Sequence, residues 1–281
     1  MSKVTIYYNA LSGNGRGESE AQKVKEYYPN DEVSFSDIRK INTEEILKGD
    51  SDIVVIAGGD GTLNHFINDV DTDSITKPVY FYATGSGNDF LNDLGKKKED
   101  GPVQINAYIK NLPIVKVNGM TRKFINGIGY GIDGYCCEEG DRIRATSDKT
   151  VNYTSIAIKG LLFHYKPTNA IVTVDGKETR YNKVWLSPAM NGRFYGGGMM
   201  AVPNQKRLSD DHKLSNLVFF GAGKIRTLIM FPSIFKGEHI KYTKYVKITE
   251  GKNIKVKFNR PVALQIDGET VLNVTEYEAH V

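Results

Sequence analysis

The sequence predicts an α/β N-terminal domain with a parallel sheet and glycine-rich phosphate loops, followed by a mainly antiparallel β-sandwich C-terminal domain. Three observations predict this. Asp52–Asn64 runs from six mostly apolar, β-branched residues straight into Gly58-Gly59-Asp60-Gly61. An apolar run without alternation suits a strand buried on both faces, as in a parallel sheet. Strands alternate with helical stripes through residue 110, with glycine-rich loops between them, which argues a parallel α/β sheet. Beyond residue 112 short strands follow one another closely, as in an antiparallel sandwich.

Taken in order, Val4–Tyr8 is a first strand and Asn9–Gly17 a glycine-rich loop; Ala21, Val24 and Tyr28 then give a helical stripe. Arg16 and Lys23 are basic residues beside that loop. Val33–Ser36 reads as a short strand and Thr43–Lys48 as a helical turn or two. In the central unit Thr62 is placed to cap a helix carrying Leu63, Phe66, Ile67 and Val70 on one face. Bare glycine backbone at a helix N-terminus favours anions, so the turn is a phosphate cradle. Asp60 inside it would repel phosphate, unless a divalent metal or a substrate hydroxyl lies beside the carboxylate. Pro78–Tyr82 is another strand, and Ala83–Leu91 a third glycine-rich loop opening a helix that Asn88 can cap. All three loops follow strands, where ligands of open α/β sheets lie.

In the second half Leu112–Val117 and Arg122–Ile128 are strands around a Gly119 turn. A helical region with Arg142, Arg144 and Lys149 follows, and then Asn152–His164. Asn169–Asp175 and Lys177–Ser187 form a hairpin about Gly176. Asn191–Met200 reads as a mobile glycine loop with exposed aromatic and sulfur side chains. Further strands are Leu214–Phe220, Tyr242–Thr249, Ile254–Phe258, Val262–Ile266 and Val271–Tyr277. Read alone, Asp267-Gly268 is a hairpin turn. The expected domains are residues 1–114 and 115–271, with the tail 272–281 packing back on the first.

Net charge is +4, with a pI near 8.8. That excess is too small to imply nucleic acid and compatible with an anionic membrane surface. Cys136 and Cys137 are adjacent, a spacing that rarely satisfies disulfide geometry, so both are expected as reduced thiols in a cytoplasmic protein. The chain enters a strand at once, so no secretory leader is expected. No window approaches the roughly eighteen apolar residues that cross a bilayer.

Several segments resemble the diacylglycerol kinase catalytic family, which includes sphingosine, ceramide and bacterial lipid kinases, with NAD kinases as distant relatives. Gly58-Gly59-Asp60-Gly61-Thr62 is similar to its signature. Asn9–Gly17 resembles its opening Asn-Pro-x-Ser-Gly loop, with Ala10 in place of proline. Gly85–Phe90 resembles Gly-Thr-x-Asn-Asp-Phe, with Ser86 in place of threonine. Asn126–Asp133, Asn191–Gly198, Pro203–Leu214 and Gln265–Glu269 resemble four further segments in the same order. The resemblance implies an ATP- and Mg2+-dependent lipid kinase, peripheral at the inner membrane face, whose diacylglycerol-like acceptor enters between the domains. It implies nucleotide contacts at Asn9, Ser12, Gly13, Ser36, Gly58, Gly59, Asp60, Gly61, Thr62, Leu63, Asn64, Gly85, Ser86 and Asn88. It implies Glu269 as general base with Asp267 as alternate or neighbour, and Asp60 on the magnesium–nucleotide side. A structural Mg2+ would take the Asp211 carboxylate and the Leu208 and Lys213 carbonyls, although His212 replaces the usual glycine. His239 echoes a family histidine and reads as structural. The rivals are an NAD kinase-like soluble enzyme and a non-catalytic nucleotide- or lipid-binding protein. Oligomeric state stays open, a homodimer included.

Overall fold

The computed structural model describes residues 1–85, 88–146 and 151–281. It divides into two units, Met1–Leu112 and Pro113–Val281.

The first unit is a mostly parallel sheet. Its strands are β1 (Lys3–Tyr8), β2 (Glu32–Asp37), β3 (Ile53–Gly58), β4 (Val79–Ala83) and the short β5 (Val103–Gln104). Their order is β2-β1-β3-β4-β5, parallel except where β5 meets β4. The order reverses between β1 and β3, so the loops leaving those strands flank a topological switch point. Short helices α1 (Ser12–Gly15) and α2 (Gly17–Gln22) follow β1. α3 (Asp60–Asp69) follows β3, and α4 (Asp89–Asp93) follows the third loop. Val55 and Ala57 pack with Ala21 and Val24 on one face. Alternation turns Val54 and Ile56, also fully buried, to the other face. That burial on both sides is why β3 reads as an unbroken apolar run.

Two local expectations change. The stripe through Ala21, Val24 and Tyr28 is α only to Gln22 and tightens into a 3-10 turn over Lys23–Tyr27. Thr43–Ile46 is likewise a 3-10 turn.

The second unit is antiparallel. It contains β6 (Ile114–Val117), β7 (Met120–Lys123), β8 (Gly127–Tyr130), α5 (Ile132–Thr146) and α6 (Tyr153–Lys159). Then come β9 (Thr168–Val174), β10 (Lys177–Val184), β11 (Ala189–Met190), β12 (Phe194–Tyr195), β13 (Met199–Met200) and β14 (Leu214–Phe219). α7 (Lys224–Met230), β15 (Val246–Gly251), β16 (Asn253–Ile266) and β17 (Glu269–His280) complete it. Arg142 and Arg144 lie on α5, whereas Lys149 falls outside the described residues.

The two strands expected at Ile254–Phe258 and Val262–Ile266 are one strand, β16, whose register against β17 shifts between Lys257 and Val262. Pro261 lies in that gap and has no N–H to give the ladder. Before the shift β16 pairs with β9; after it, with β8. A strand that changes partners across a bulge joins two layers, which gives the sandwich its shape. Between the layers Tyr130 stacks on Phe258 at 3.9 Å, and Trp185 Nε1 donates to the Ala222 carbonyl at 2.9 Å.

Residues 272–281 run in β17, paired with β16 and, through Glu278–His280, with β6 of the same unit. The alternation of Val274, Tyr277 and Ala279, all buried, fits them to that sheet. Among the described residues no helix is long and apolar enough to cross a membrane.

Candidate functional site

Three glycine loops leave the C-terminal ends of β1, β3 and β4 and are tied together. Asn9 N donates to Ala57 O at 3.1 Å, and Thr84 N to Gly58 O at 3.1 Å. Asn9 Nδ2 donates to Thr62 Oγ1 at 3.1 Å, joining the first loop to the second. Ser12 Oγ donates to Asn9 O at 2.6 Å and lies 2.7 Å from Thr84 Oγ1, joining the first to the third. Gly13 is left-handed (φ +59°), and a Cβ there would stand 2.8 Å from Thr84 O. A Cβ on Gly58 would fall 2.4 Å from the Thr62 side chain. Gly13 therefore lets the first loop touch the third, and Gly58 lets Thr62 turn in against its own strand end.

The helix of the central unit begins earlier than expected. Gly59 is its N-cap and Asp60 its first residue, so Thr62 lies inside the first turn. The Thr62 side chain is buried against Gly58, and its hydroxyl is committed to Asn9. Asp60 has partners of its own. Its Oδ2 accepts from Asp89 N at 2.8 Å and its Oδ1 from Phe90 N at 3.3 Å. The acid of this anion cradle thus binds the first turn of α4 and fixes the second loop to the third. The Leu63 and Asn64 side chains are fully buried, so any nucleotide contact there would be through main chain.

Asn88 caps α4, its Oδ1 accepting from Leu91 N at 2.8 Å. Its Nδ2 is buried without a hydrogen-bond partner among the described residues, although buried donors are generally satisfied in native structures. Gly85 is described; Ser86 lies outside the described residues. Ser36 sits on edge strand β2, opposite Tyr7, next to β1 and away from β3 and β4. Lys23 is paired with Glu20 at 3.0 Å, and Lys98 meets the same carboxylate at 2.6 Å. Those two ammonium groups hold the Glu20 carboxyl below its usual range. Arg16 Nε donates to Gly13 O at 3.3 Å.

In the second unit Asp267 and Gly268 are the corners of the β16–β17 hairpin, with φ +46° and +97°. Ile266 pairs with Glu269 across that two-residue turn, as a type I′ hairpin requires. The Asp267 carboxylate does more than turn the chain. It accepts from the main-chain N–H of Ile125 (2.6 Å), Asn126 (2.8 Å) and Gly127 (2.9 Å). Gln265 Oε1 supports the turn by accepting from Gly268 N at 2.6 Å. Arg207 donates to Ile125 O and to Asn126 Oδ1. Glu269 is half-buried at the start of β17, where it pairs with Ile266 across the turn.

Beside this hairpin lies an acid that sequence reading did not single out. Asp133, in the first turn of α5, is buried, and Tyr195 OH donates to its Oδ2 at 2.8 Å. Burial raises its carboxyl to about 6 despite the tyrosine hydrogen bond. Gly129 is small because a Cβ there would meet Asp133 Oδ2 at 2.4 Å and Gln265 Nε2 at 2.6 Å. The Asn191–Met200 loop is correspondingly different from expectation. Tyr195 and Met199 are buried, and the three glycines between them make the left-handed turn of the β12–β13 hairpin. Cys136 and Cys137 are free thiols; burial first, then Asp133, pushes Cys137 up to about 12, with Asp141 and Glu269 adding to it. His239 is structural in setting: it is buried, its Nε2 lies 2.9 Å from Ala201 O, and burial lowers its pKa.

The turn expected to hold magnesium does not fit that ion. The Asp211 carboxylate is ion-paired with Lys213 Nζ at 2.8 Å and about half exposed, and Lys213 O accepts from Gln205 Nε2 at 2.8 Å. Two of the three expected ligand groups are thus already engaged by protein donors. His212 keeps the left-handed backbone, φ +46°, that a glycine would adopt more cheaply. Among the described residues no group of three or more His, Cys, Asp or Glu is gathered to hold a metal.

What sequence reasoning missed shares one character. Thr84, Asp133, Tyr195 and Arg207 act through hydrogen bonds to residues 62–82 positions away, and Gln265 through one within its own turn; none leaves a periodic signal. The glycine at 129, between two larger residues of a strand, was the available sign of a close approach.

Residues 3–116 match the family described as the diacylglycerol kinase catalytic domain, and residues 126–278 the YegS C-terminal NAD kinase beta sandwich-like domain. A protein of Mycobacterium tuberculosis named diacylglycerol kinase is 24% identical over 272 residues, covering 92% of this chain and 85% of that one. A crystal structure of a diacylglycerol kinase from Bacillus anthracis superposes with a TM-score of 0.62 at 18% identity, covering 99% of this chain and 93% of that one. At that identity the likeness is one of fold.

Proposed function

The chain belongs to the diacylglycerol kinase family, with a catalytic domain of that kind followed by a NAD kinase beta sandwich-like domain, and we propose that it transfers the γ-phosphate of ATP to the hydroxyl of diacylglycerol or a related lipid. The observation that carries this reading is the joining of three glycine loops at the ends of β1, β3 and β4 by Asn9, Ser12, Thr62 and Thr84. Such loops offer main-chain N–H groups to a polyphosphate. The Nδ2 of Asn88, buried and without a hydrogen-bond partner among the described residues, adds a side-chain donor. Asp60 orders the second and third loops relative to each other through the α4 amides.

Phosphoryl transfer asks the protein mainly to position groups and offset charge. Magnesium enters here with the nucleotide, as part of the substrate, and supplies charge neutralisation on its phosphates. Glu269 takes the proton of the attacking lipid hydroxyl. Asp267, held on three amides, positions the strand that carries Glu269. The protein works as a peripheral enzyme at the inner face of the membrane.

The test is incubation with ATP, magnesium and a total lipid extract, followed by mass detection of phosphorylated lipid, with NAD offered in a parallel arm. A phosphomonoester of a neutral lipid is the expected product. Phosphorylation of NAD instead would transfer the reading to the soluble kinases that the second domain resembles. Nucleotide binding with no product in either arm would leave a binding protein.

A further inference from the structure

The second unit leaves an apolar helical face uncovered. Along α7 and the 3-10 turn after it, Thr227, Met230 and Ile234 point into the core and are almost fully buried. On the opposite side Ile225 and Ile229, one helical turn apart, are 73% and 71% exposed. The π-turn Gly160–His164 that ends α6 repeats the pattern, with Leu161 fully buried and Phe163 71% exposed. The two segments are neighbours: Lys224 Nζ donates to Leu162 O at 2.8 Å. Ile158, on α6, is exposed as well. Large apolar side chains exposed singly need no explanation, but a cluster on adjacent helical segments marks an interaction surface.

The segments that carry this face are themselves one-sided in charge. Residues 151–174 carry Lys159 and Lys166 and no acid. Residues 212–249 carry one acid, Glu238, among seven lysines and arginines. Over the whole chain acids nearly balance bases, 33 against 37, so the bias is local. Arg226 is set in place on the Tyr245 ring, 5.3 Å from its centre. An apolar helical face on cationic segments is the pattern of a helix that lies in the headgroup layer of a bilayer.

We propose that Ile158, Phe163, Ile225 and Ile229, with Lys159 and Lys224 beside them, form the surface by which this protein lies on an anionic lipid membrane. The charge selects this occupant over a second copy of the chain. A two-fold self-contact would bring the same cations face to face, whereas anionic headgroups neutralise them. The π-turn and α6 pack on α5, which carries Asp133 and whose Asp141 accepts from Thr270 next to Glu269 at 2.6 Å. The face therefore borders the helix that flanks the acid end of β17. The inference deepens the lipid-kinase reading and rests on it for its purpose.

Vesicle sedimentation without ATP or acceptor lipid tests it apart from catalysis. The probes are phosphatidylcholine vesicles with and without phosphatidylglycerol. The intact chain should bind the anionic vesicles and leave the neutral ones, with affinity falling as salt rises. Ile225→Ser with Ile229→Ser, Phe163→Ser, and Lys224→Glu with Lys159→Glu should each weaken binding by about tenfold or more. Far-ultraviolet dichroism and the thermal midpoint confirm folding of each variant. These variants should keep the parent's turnover on acceptor dispersed in detergent micelles. Equal binding by parent and variants, or no binding by the folded parent, overturns the proposal and leaves the kinase reading to its own assay. A parent dimer that the serine variants dissociate would also overturn it, making the face a protein interface.

Discussion

Ser12 Oγ and Thr84 Oγ1 stand 2.7 Å apart although 72 residues separate them in sequence. The contact joins the first glycine loop to the third, across strands that are not neighbours in the sheet: β3 lies between β1 and β4. Each hydroxyl keeps further hydrogen-bonding capacity, so the pair can both brace the loops and meet a phosphate oxygen. Ser12→Ala and Thr84→Val should each weaken ATP binding about tenfold, the equivalent of a lost hydrogen bond to a charged group. The double variant should lose less than the sum, because the two share one contact. Titration calorimetry with ATP and magnesium reads all four; full additivity would mean that the hydroxyls act separately.

Gly13 sets a stricter condition. Its left-handed backbone costs any other residue about 1–2 kcal/mol, and the added Cβ would press on Thr84 O at 2.8 Å. Gly13→Ala should therefore lower the thermal midpoint and weaken ATP binding more than Ser12→Ala does. Gly59→Ala is the control, since nothing lies within 4 Å of a Cβ there and its φ is not left-handed. Comparable losses in both variants would show that backbone bareness alone, rather than loop contact, is what the site needs.

Asp133 predicts a pH dependence of stability. Its native carboxyl holds a proton up to about 6, against an ordinary value of 3.8, because burial penalises the charge. Between those values the native state binds more protons than the unfolded chain, so stability falls as pH rises through that window. The fall is on the order of 2–3 kcal/mol and is complete above the native value. Tyr195, Cys136 and Cys137 face the same group, and all have pKa values raised by burial, so none of them ionises in the window. Asp133→Asn, which still accepts from Tyr195, should remove this slope and make the protein more stable than the parent near pH 8. Thermal midpoints from pH 4 to 8 decide it; parallel curves for parent and variant would rule out Asp133 as the source.

Much of the fold was legible because it follows from local rules. The apolar run at Val54–Ala57 gave the central strand, Asp267-Gly268 gave a tight hairpin, and Asn88 gave a cap. Thr62 was misread because sequence shows a good capping residue but not Gly58, whose missing side chain lets that residue turn inward. β16 was read as two strands because Asn259-Arg260-Pro261 interrupts its pattern, although the backbone continues through the bulge. Tyr195 was read as exposed because glycines surround it, and its partner Asp133 is 62 residues away. The gaps lie where a neighbour's missing side chain, a bulge or a distant hydrogen bond, rather than a repeating pattern, decides a residue's position.

The Asp211 turn predicts indifference to magnesium. Hydrogen bonds from Lys213 and Ser209 hold the Asp211 carboxyl below its usual range, and an ammonium group already supplies the positive charge that a cation would bring. Chelator or millimolar magnesium, in the absence of nucleotide, should leave the thermal midpoint unchanged. A rise of several degrees with magnesium would show that the ion displaces Lys213 and that the turn is a metal site after all.

The two acids of the β16–β17 hairpin should separate by function. Asp267 accepts from three consecutive amides that lie about 140 residues away in sequence. An amide in its place would turn one acceptor into a donor facing those N–H groups. Asp267→Asn should then destabilise the second unit by about 1–3 kcal/mol and reduce turnover through misplacement of the strand. Glu269→Gln removes an ionisable group from a half-buried position at a strand start. It should lower kcat by roughly 100-fold to 10,000-fold with little change in KM for ATP, as the loss of a general base does. Denaturant unfolding measured beside steady-state kinetics separates the cases. The opposite pattern, a stable and inactive Asp267→Asn with an active Glu269→Gln, would move the proton-accepting role to Asp267.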